Sequence, residues 1–411
     1  MSPTPPAVAG SIRHPVEFLL LLGLAFFLPL YEAPKNILWL AWAATWIVNR
    51  RRDRDWGGPL DAWDGLIVAW ITSAYLVAAF SGVKANEWLG ANDVLRYASV
   101  ALLLRRSRPT GRELGLLATA LLAGCLVGLA WGSWRLWVSH SRPFLELHSV
   151  GHVNHSAPYI AICCGLAASI AVFAWKELPV GLRMAAAATA AVIGAALVAT
   201  SSRASLVALL VVPPVLAAGS WRRSRWPALV LVGAMAVAVA AAVGFDADVV
   251  RKQQRLLEKG DVTNARIAIW RRAIVAWELH PWFGVGMDNY GKVGDEAIRR
   301  QVEAKGKPWR PEDYVGPNHA HSLYFNTLAE RGIVGGGVFL AALLAWAGAL
   351  WKHRPDRSMD GVEAAAWGAA ASAWVVTVVA GIGNTSFHHE IALLGTLVLG
   401  GWLALRRKAR A

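Results

Sequence analysis

Apolar segments of about the length needed to cross a lipid bilayer recur along this chain from one end to the other. A membrane-crossing helix needs roughly 20 predominantly apolar residues. Of the 411 residues, 56% are hydrophobic and 17% are charged, whereas soluble domains carry about 25% charged residues. The sequence therefore predicts an all-α polytopic membrane protein with about 12 transmembrane helices, and not a soluble enzyme. The predicted spans are 16–31, 37–49, 63–81, 92–104, 113–138, 157–175, 182–200, 204–219, 227–244, 332–351, 363–382 and 390–405, of which the second and fourth are short.

Basic residues outnumber acidic residues by 41 to 27, which gives a formal net charge of +14. In a soluble protein such an excess would suggest nucleic-acid binding. Here the basic clusters each follow an apolar span, which is typical of cytoplasmic loops. We therefore expect no nucleic-acid partner and, with an even number of spans, both termini in the cytoplasm. The clusters are Arg50, Arg51, Arg52 and Arg54; Arg105, Arg106 and Arg108; Arg222, Arg223 and Arg225; and Arg406, Arg407, Lys408 and Arg410.

One long polar interruption separates the ninth predicted span from the tenth. We divide the chain into transmembrane helices 1 to 9 (1–244), a loop with an interfacial helix (245–331), and transmembrane helices 10 to 12 with a cytoplasmic tail (332–411). On this topology the loop lies outside the cytoplasm, and its pattern predicts helices at Thr263–Leu279 and Asp295–Ala304. A long ordered loop needs a functional reason, and an enzyme acting at the membrane surface supplies one.

The strongest local pattern is Asn318-His319-Ala320-His321-Ser322, followed nine residues later by Gly332-Ile333-Val334-Gly335. Pro317 and Asn318 can open a helix, so His321 is expected in its first turn. The positive end of a helix disfavours imidazolium, and a neutral ring can accept a proton. The alternative is a hydrogen-bonded interfacial histidine, with Gly332 and Gly336 serving helix packing.

Two arginines are candidate anion sites. Arg203 follows Ser202 at the start of an apolar span, where hydroxyl groups, free backbone N–H groups and a guanidinium coincide. Arg266 follows Thr263, a possible N-cap, and would place a cation in a first helical turn, where it is unfavourable unless an anion binds. The alternatives are an arginine that reaches lipid headgroups at Arg203 and a solvated loop arginine at Arg266.

Charged residues within spans are also candidates. Arg96 lies one turn inside the fourth predicted span and Arg135 near the outer end of the fifth, and each either lines an outward cavity or reaches the interface. We expect no metal site. The acidic pair Asp246 and Asp248 is too short a pattern, and adjacent residues of the His388-His389-Glu390 run point apart on a helix. Gly284-Val285-Gly286 is interpreted as a structural turn.

Together these features resemble the O-antigen ligase and polymerase superfamily. The resemblance rests on Ser202-Arg203 at a span start, on Arg266 with Trp270 followed by Pro281-Trp282-Phe283-Gly284-Val285-Gly286, and on the His321-Ser322 motif with its spaced glycines. The histidine motif is most similar to that of the lipopolysaccharide O-antigen ligases. The resemblance covers the topology of the whole chain and the motifs between about 200 and 336.

The resemblance implies transfer of an O-antigen glycan from undecaprenyl diphosphate to lipid A-core, on the periplasmic face of the bacterial inner membrane. Arg203 and Arg266 would bind the diphosphate, and His321 would act at the acceptor hydroxyl. No cofactor, nucleotide or metal is expected, and without an obvious separate nucleophile a single inverting displacement is favoured. The expected partners are the lipid-linked donor, lipid A-core and membrane lipids. Further substrate-binding candidates are Arg96, Arg142, Ser202, Asn318 and His319.

Other functions stay open at this point. A polymerase of the same superfamily would extend a growing glycan, and a protein O-oligosaccharyltransferase would use a hydroxyl side chain as acceptor. A flippase for the lipid-linked glycan would need charged cavities on both sides of the membrane, whereas the candidate residues here gather on one side.

Overall fold

The computed structural model describes residues 12–200, 202–221, 223, 233 and 261–408, and the regular structure within them is helical without strands. Short 3₁₀ turns at Tyr290–Lys292 and Pro311–Asp313 lie in the region between two of the long helices. The α-helices are α1 (Pro15–Phe27), α2 (Glu32–Asp53), α3 (Ala62–Phe80), α4 (Glu87–Ser107), α5 (Gly111–Trp137), α6 (Val153–Phe173), α7 (Val180–Ala199), α8 (Arg203–Ser220), α9 (Asp261–Leu279), α10 (Asp295–Ala304), α11 (Leu323–Lys352), α12 (Gly361–Ala380) and α13 (His389–Lys408).

These helices overlap eleven of the twelve predicted spans, and the span at 227–244 lies almost entirely outside the described residues. Within the described part, six helices are long and apolar enough to cross a membrane: α3, α5, α6, α7, α11 and α12. Helix α1 and the second half of α8 are apolar but shorter. The chain is thus a helical membrane protein, as predicted, while the number of twelve crossings stays a prediction.

Helices α2 and α4 are longer than the short spans predicted there, with 22 and 21 residues. Ion pairs at their ends accompany this extension. Arg50 of α2 donates to Glu17 of α1 at 2.9 Å, and Arg106 of α4 donates to Asp64 of α3 at 2.6 Å. All four residues are buried. Because a buried charge needs such a partner, the charged residues that limited the predicted spans can continue the helices.

The polar contacts divide the helix ends into two sets. Arg106 at the end of α4 and Arg407 at the end of α13 both bind Asp64. The beginnings of the same two helices meet at the opposite end, where Asp93 of α4 contacts His389 of α13 at 3.1 Å. Arg106 and Arg407, which belong to two of the basic clusters that the sequence assigned to one side, therefore lie at the same end of the bundle. That this end faces the cytoplasm stays a prediction.

Helices α6 and α12 form the centre of the bundle. In their most apolar windows 83% and 67% of the residues are buried inside the protein, compared with 11% for α7. A Cβ atom placed on Gly165 of α6 would lie 2.3 Å from the Cβ of Ser372 on α12. The small residues let the two backbones approach closely, as is common between membrane helices. The exposed apolar surface of α7 suits contact with lipid.

Helix α11 is broken at Gly332, which has φ 58° and ψ −162°. The break frees backbone groups that a continuous helix would pair, and the adjacent turn segment, 281–286, binds them. The replacement hydrogen bonds are Ile333 N–H to Pro281 O (2.9 Å), Val334 N–H to Trp282 O (3.0 Å), Val285 N–H to Ala329 O (2.9 Å) and Gly286 N–H to Glu330 O (3.0 Å). The structural interpretation of Gly284-Val285-Gly286 is confirmed, whereas Gly332 makes a break and not a flat packing surface.

Replacement of Gly332 by alanine is expected to destabilise the protein. A Cβ atom there would lie 2.5 Å from the carbonyl of Trp282, and the positive φ adds strain of about 1–3 kcal/mol. The matched control is Gly337→Ala, since a Cβ on Gly337 of the same helix meets no atom within 4 Å. Thermal unfolding in detergent should show a lower midpoint for Gly332→Ala only. Equal midpoints for the two variants would contradict the role of this break.

The region before α11 has a small apolar core of its own. Helix α9 packs against α11, and α10 has the bounds predicted from the sequence. Arg272 of α9 is buried and connects this helix to the start of α10. It donates to Asp295 at 2.5 Å and to the carbonyl of Val293 at 2.6 Å. The region is therefore ordered between α9 and α11. Its core comprises Ile269, Ala273, Val275, Ala276, Val285, Tyr290, Val293, Ile298, Val302, Ala320 and Ala329.

Candidate functional site

The candidate site surrounds the segment that joins α12 to α13, residues 381–388, here called the 381–388 link. Pro158 inside α6 has no N–H, so the carbonyl of Asn154 lacks its usual helical partner. The side chain of Asn384 in the link donates to that carbonyl. This contact holds the link against the first turn of α6, which carries His155.

His321 lies just before α11 and not in its first turn, so that prediction was wrong. Helix α11 begins at Leu323 with Ser322 as N-cap, and Leu323 N–H donates to Gly381 O of the link at 2.8 Å. Asn318, which was expected to help open the helix, is exposed several residues earlier. His321 has φ 47°, in the left-handed region that residues other than glycine adopt at a cost. Such strain is often found at functional sites.

A chain of hydrogen bonds fixes the turn that carries His321. These hydrogen bonds were not predicted from the sequence. The N–H of Ala320 donates to Asn326 Oδ1 at 2.9 Å, and Asn326 Nδ2 donates to Glu330 Oε2 at 2.8 Å. Glu330 Oε1 in turn accepts from the N–H of Tyr290 at 3.4 Å. Asn326 and Glu330 are buried and lie four residues apart on one face of α11. The spacing of Asn326 and Glu330 inside the histidine motif could have indicated this hydrogen bond from the sequence.

His321 is half-buried, and its environment favours a neutral ring. Burial is the main cause that lowers the pKa of His321 below its usual value, and neighbouring His319 and Arg266 add to it. Burial also lowers the pKa of His319. The predicted neutral imidazole is therefore consistent with the structure, but its cause is burial and positive charge, not the end of a helix. A neutral ring can accept a proton.

Arg266 lies on α9 beside the 381–388 link. Because α9 already includes Thr263, Thr263 is not the N-cap, and Arg266 lies beyond the first turn of α9. A Cβ atom on Gly383 would be 2.7 Å from Arg266 Nη1, so the absence of a side chain there leaves room for the guanidinium. Arg266 also acts electrostatically on His321. The structure thus brings two of the three predicted catalytic residues together.

Arg203, the third predicted catalytic residue, is the first residue of α8, and Ser202 is the N-cap. Ser202 is buried, and its N–H donates to the hydroxyl of Thr200 at 3.3 Å. The predicted placement at a helix start is therefore found. The side chain of Arg203 lies outside the part of the chain that the structure describes, and Asp246 and Asp248 also lie outside it.

Two further predicted substrate-binding residues differ in their surroundings. Arg96 is buried and contacts Asp93 at 2.9 Å, and Asp93 also contacts His389. Arg142 is half-exposed and lies 3.6 Å from Glu146, a residue that accepts a hydrogen bond from the start of α6. Arg96 is thus connected to His389 at the site through the carboxylate of Asp93. The described contacts of Arg142 reach only Glu146, beside the start of α6.

Three histidines from separate elements meet in this site: His155, His319 and His388. The His388-His389-Glu390 run was expected to lie on a helix with adjacent side chains pointing apart, but α13 begins only at His389. The rings of His388 and His389 are in contact, with their centres 4.1 Å apart. His388 faces the other two histidines, His389 contacts Asp93, and Glu390 binds Lys35 of α2. The three-histidine group was not predicted from the sequence, because its members are 164 and 69 residues apart along the chain.

An open cavity adjoins His319 and His388. His319, His388 and Arg331 contribute to its lining, together with residues of α4 and α11. Arg331 donates to the hydroxyl of Tyr97 at 3.2 Å, and its guanidinium lies 5.4 Å from the ring centre of Phe339. Arg331 was not predicted from the sequence, although it is a cation directly before the first glycine of the motif. The lining combines Arg331 and aromatic rings with three acidic side chains, those of Asp93, Asp288 and Glu330.

The fold and the site define a helical membrane protein with histidines and arginines gathered at one end of its bundle. A family model described as O-antigen ligase matches residues 186–340, a range that includes Arg203, Arg266 and His321. This match supports membership of the chain in the O-antigen ligase superfamily and confirms the resemblance drawn from the motifs. Comparison with curated proteins gave no match.

Proposed function

We propose that this protein is an O-antigen ligase, a membrane glycosyltransferase that moves a glycan from undecaprenyl diphosphate to lipid A-core. The observation that carries the proposal is that two predicted catalytic residues lie along the same 381–388 link, within the range matched by the family model. Arg266 lies beside Gly383, and His321 lies two residues before Leu323, whose N–H donates to Gly381 O. The family supports an enzyme of the ligase and polymerase type that acts on lipid-linked glycans. The particular donor and acceptor are proposed from the resemblance of the motifs.

The chemistry needs two groups that these residues can supply. The acceptor hydroxyl attacks the anomeric carbon, the bond to the lipid diphosphate breaks, and the leaving group gains negative charge. A guanidinium hydrogen-bonds to phosphate oxygens in a forked geometry, which fits Arg266 and Arg203 to the diphosphate. His321 would accept the proton of the hydroxyl in its neutral form. One displacement inverts the anomeric centre, and the proposed reaction uses no metal or nucleotide.

The acceptor is proposed to occupy the open cavity. Arg331 in the lining can bind an anionic group of lipid A-core, and the carboxylates of Asp93, Asp288 and Glu330 can accept hydrogen bonds from sugar hydroxyls. His319 contributes to the lining of this cavity and lies two residues before His321 in the sequence. We place this face on the periplasmic side of the inner membrane, with both termini in the cytoplasm.

A polymerase or a protein O-oligosaccharyltransferase of the same superfamily is the second candidate. Each would use the same leaving group, so the arginines do not separate them from a ligase. The histidine motif favours the ligase by resemblance. A flippase is less well supported, because the cavity and the candidate residues lie at one end of the bundle.

A strain lacking this protein separates the candidates. Without a ligase, long glycan should accumulate on undecaprenyl diphosphate while lipid A-core stays bare, and a plasmid copy should restore the ladder of glycan-capped lipopolysaccharide on a gel. Loss of a polymerase should instead give core capped by a single repeat unit. A one-repeat product would therefore replace the ligase proposal by the polymerase, and an unchanged ladder would remove both.

A further inference from the structure

The three histidines beside the cavity form a compact group of nitrogen ligands. His155 comes from the first turn of α6, His319 from the turn before α11, and His388 from the end of the 381–388 link. Their ring centres are 5.0 Å apart for His155 and His388, 5.4 Å for His319 and His388, and 6.1 Å for His155 and His319. One ring nitrogen from each lies within 4.8 Å of the other two.

Two of these rings have buried nitrogens that no hydrogen bond satisfies within the described residues. Both ring nitrogens of His388 and Nδ1 of His155 are in this state. A buried polar atom without a partner is unfavourable, so such atoms in a native protein call for a bound water, ion or ligand. Because no carboxylate belongs to the group, it matches imidazole-preferring metals and not Mg²⁺ or Ca²⁺.

We propose that His155, His319 and His388 bind a divalent transition-metal ion of the Zn²⁺ type at the edge of the open cavity. In a tetrahedral zinc site the bond lengths of about 2.0–2.1 Å place ligand nitrogens roughly 3.3 Å apart. Since the nitrogens lie within 4.8 Å of one another, they need to approach by up to about 1.5 Å, which side-chain rotation can supply. Three protein ligands leave a fourth position for water or a ligand hydroxyl.

This inference goes beyond the proposed function, because no step of glycan transfer is assigned to the metal. The ion would tie α6, the turn before α11 and the 381–388 link together. Its binding can therefore be measured as a property of the folded protein, independently of whether the protein transfers glycan.

The test uses the full-length protein in detergent, purified with an affinity tag that contains no histidine. Titration with Co²⁺, a spectroscopic substitute for Zn²⁺, should give one bound ion per chain with the strong visible absorption of a four-coordinate site. Added Zn²⁺ should displace it. Zn²⁺ should also raise the thermal unfolding midpoint, because a ligand of the folded state stabilises that state.

Variants of two of the three histidines test the ligand set. His155→Ala and His388→Ala should each weaken Co²⁺ binding by more than about 100-fold, since loss of an outer-sphere partner alone costs about 10- to 100-fold. His388→Gln keeps a polar side chain in case alanine prevents folding, and gel filtration checks the folded state of each protein. His140→Ala, in an exposed position between α5 and α6, is the matched control and should bind as the unaltered protein does.

Absence of Co²⁺ absorption in the unaltered protein would overturn the proposal. So would binding that survives in both His155→Ala and His388→Gln, since the ion would then lie elsewhere. Equal weakening by His140→Ala would show that metal binds surface histidines without selectivity, which also contradicts a built site.

Discussion

Replacement of His321 by alanine is expected to lower glycan transfer by roughly 10²- to 10⁴-fold, the usual loss when a positioned general base is removed. The ring is half-buried beside Arg266 and His319, and it is held there by a turn whose Ala320 N–H is bound by Asn326. The assay follows transfer from lipid-linked donor to lipid A-core with purified protein, free of the chromosomal enzyme. His319→Ala should have the smaller effect.

Backbone strain is the main alternative explanation for a loss at His321, and two variants separate it from chemistry. His140 is also a histidine with positive φ, 49° compared with 47° for His321, but it lies in an exposed position. His140→Ala therefore carries the same backbone change away from the site and should keep full activity. His321→Asn removes the ring but retains a residue type that tolerates this conformation. Normal transfer by His321→Asn would exclude the proposed base.

The pH dependence of transfer should follow the neutral form of His321. Burial lowers the pKa of its ring below the ordinary value of about 6.5, so the ring stays neutral to a lower pH than a solvated histidine. As the pH falls through that pKa, the ring gains a proton and can no longer accept one. The acidic limb of the rate profile should therefore fall at a lower pH than the pKa of an exposed histidine. This limb should be absent from the slow residual reaction of His321→Asn.

Much of the fold follows from the sequence, because apolar length and breaking residues determine membrane helices locally. The bounds of α10 agree with the prediction residue for residue, and α9 ends at Leu279 as expected. The spans predicted at α2 and α4 were too short, because contacts with neighbouring helices allow these helices to continue. Hydropathy counts a charge against a span, but it does not see Glu17 or Asp64 on the neighbouring helices that neutralise it.

The site was predictable in its residue types and not in its assembly. Arg266 and His321 stand out by motif, yet both helix starts that were assumed for them were wrong, because backbone turns depend on distant partners. The N–H of Ala320 is bound by Asn326, and Leu323 N–H is bound by Gly381 of the link. The three-histidine group and Arg331 depend wholly on packing between elements that no short stretch of sequence contains.

Replacement of Arg266 is expected to be nearly as damaging as loss of the histidine. If Arg266 holds one phosphate of the leaving group, Arg266→Ala should lower transfer by about 10²- to 10³-fold, the loss found for one positioned donor at a developing charge. Arg266→Lys should recover little, because a lysine lacks the planar fork that binds two oxygens. The measurements are the transfer rate and the affinity for lipid-linked donor.

A control on the same helix separates this effect from general loss of positive charge. Arg271 is more exposed and bound to Asp313 at 2.6 Å, so Arg271→Lys should leave both rate and donor affinity unchanged. Combining Arg266→Ala with Arg203→Ala should cost less than the two single losses together, because residues that share one ligand are not independent. Full additivity would indicate two separate ligands. Unchanged donor affinity in both single alanine variants would mean that the diphosphate binds elsewhere. Arg266 would then need another role, such as keeping His321 neutral through its positive charge.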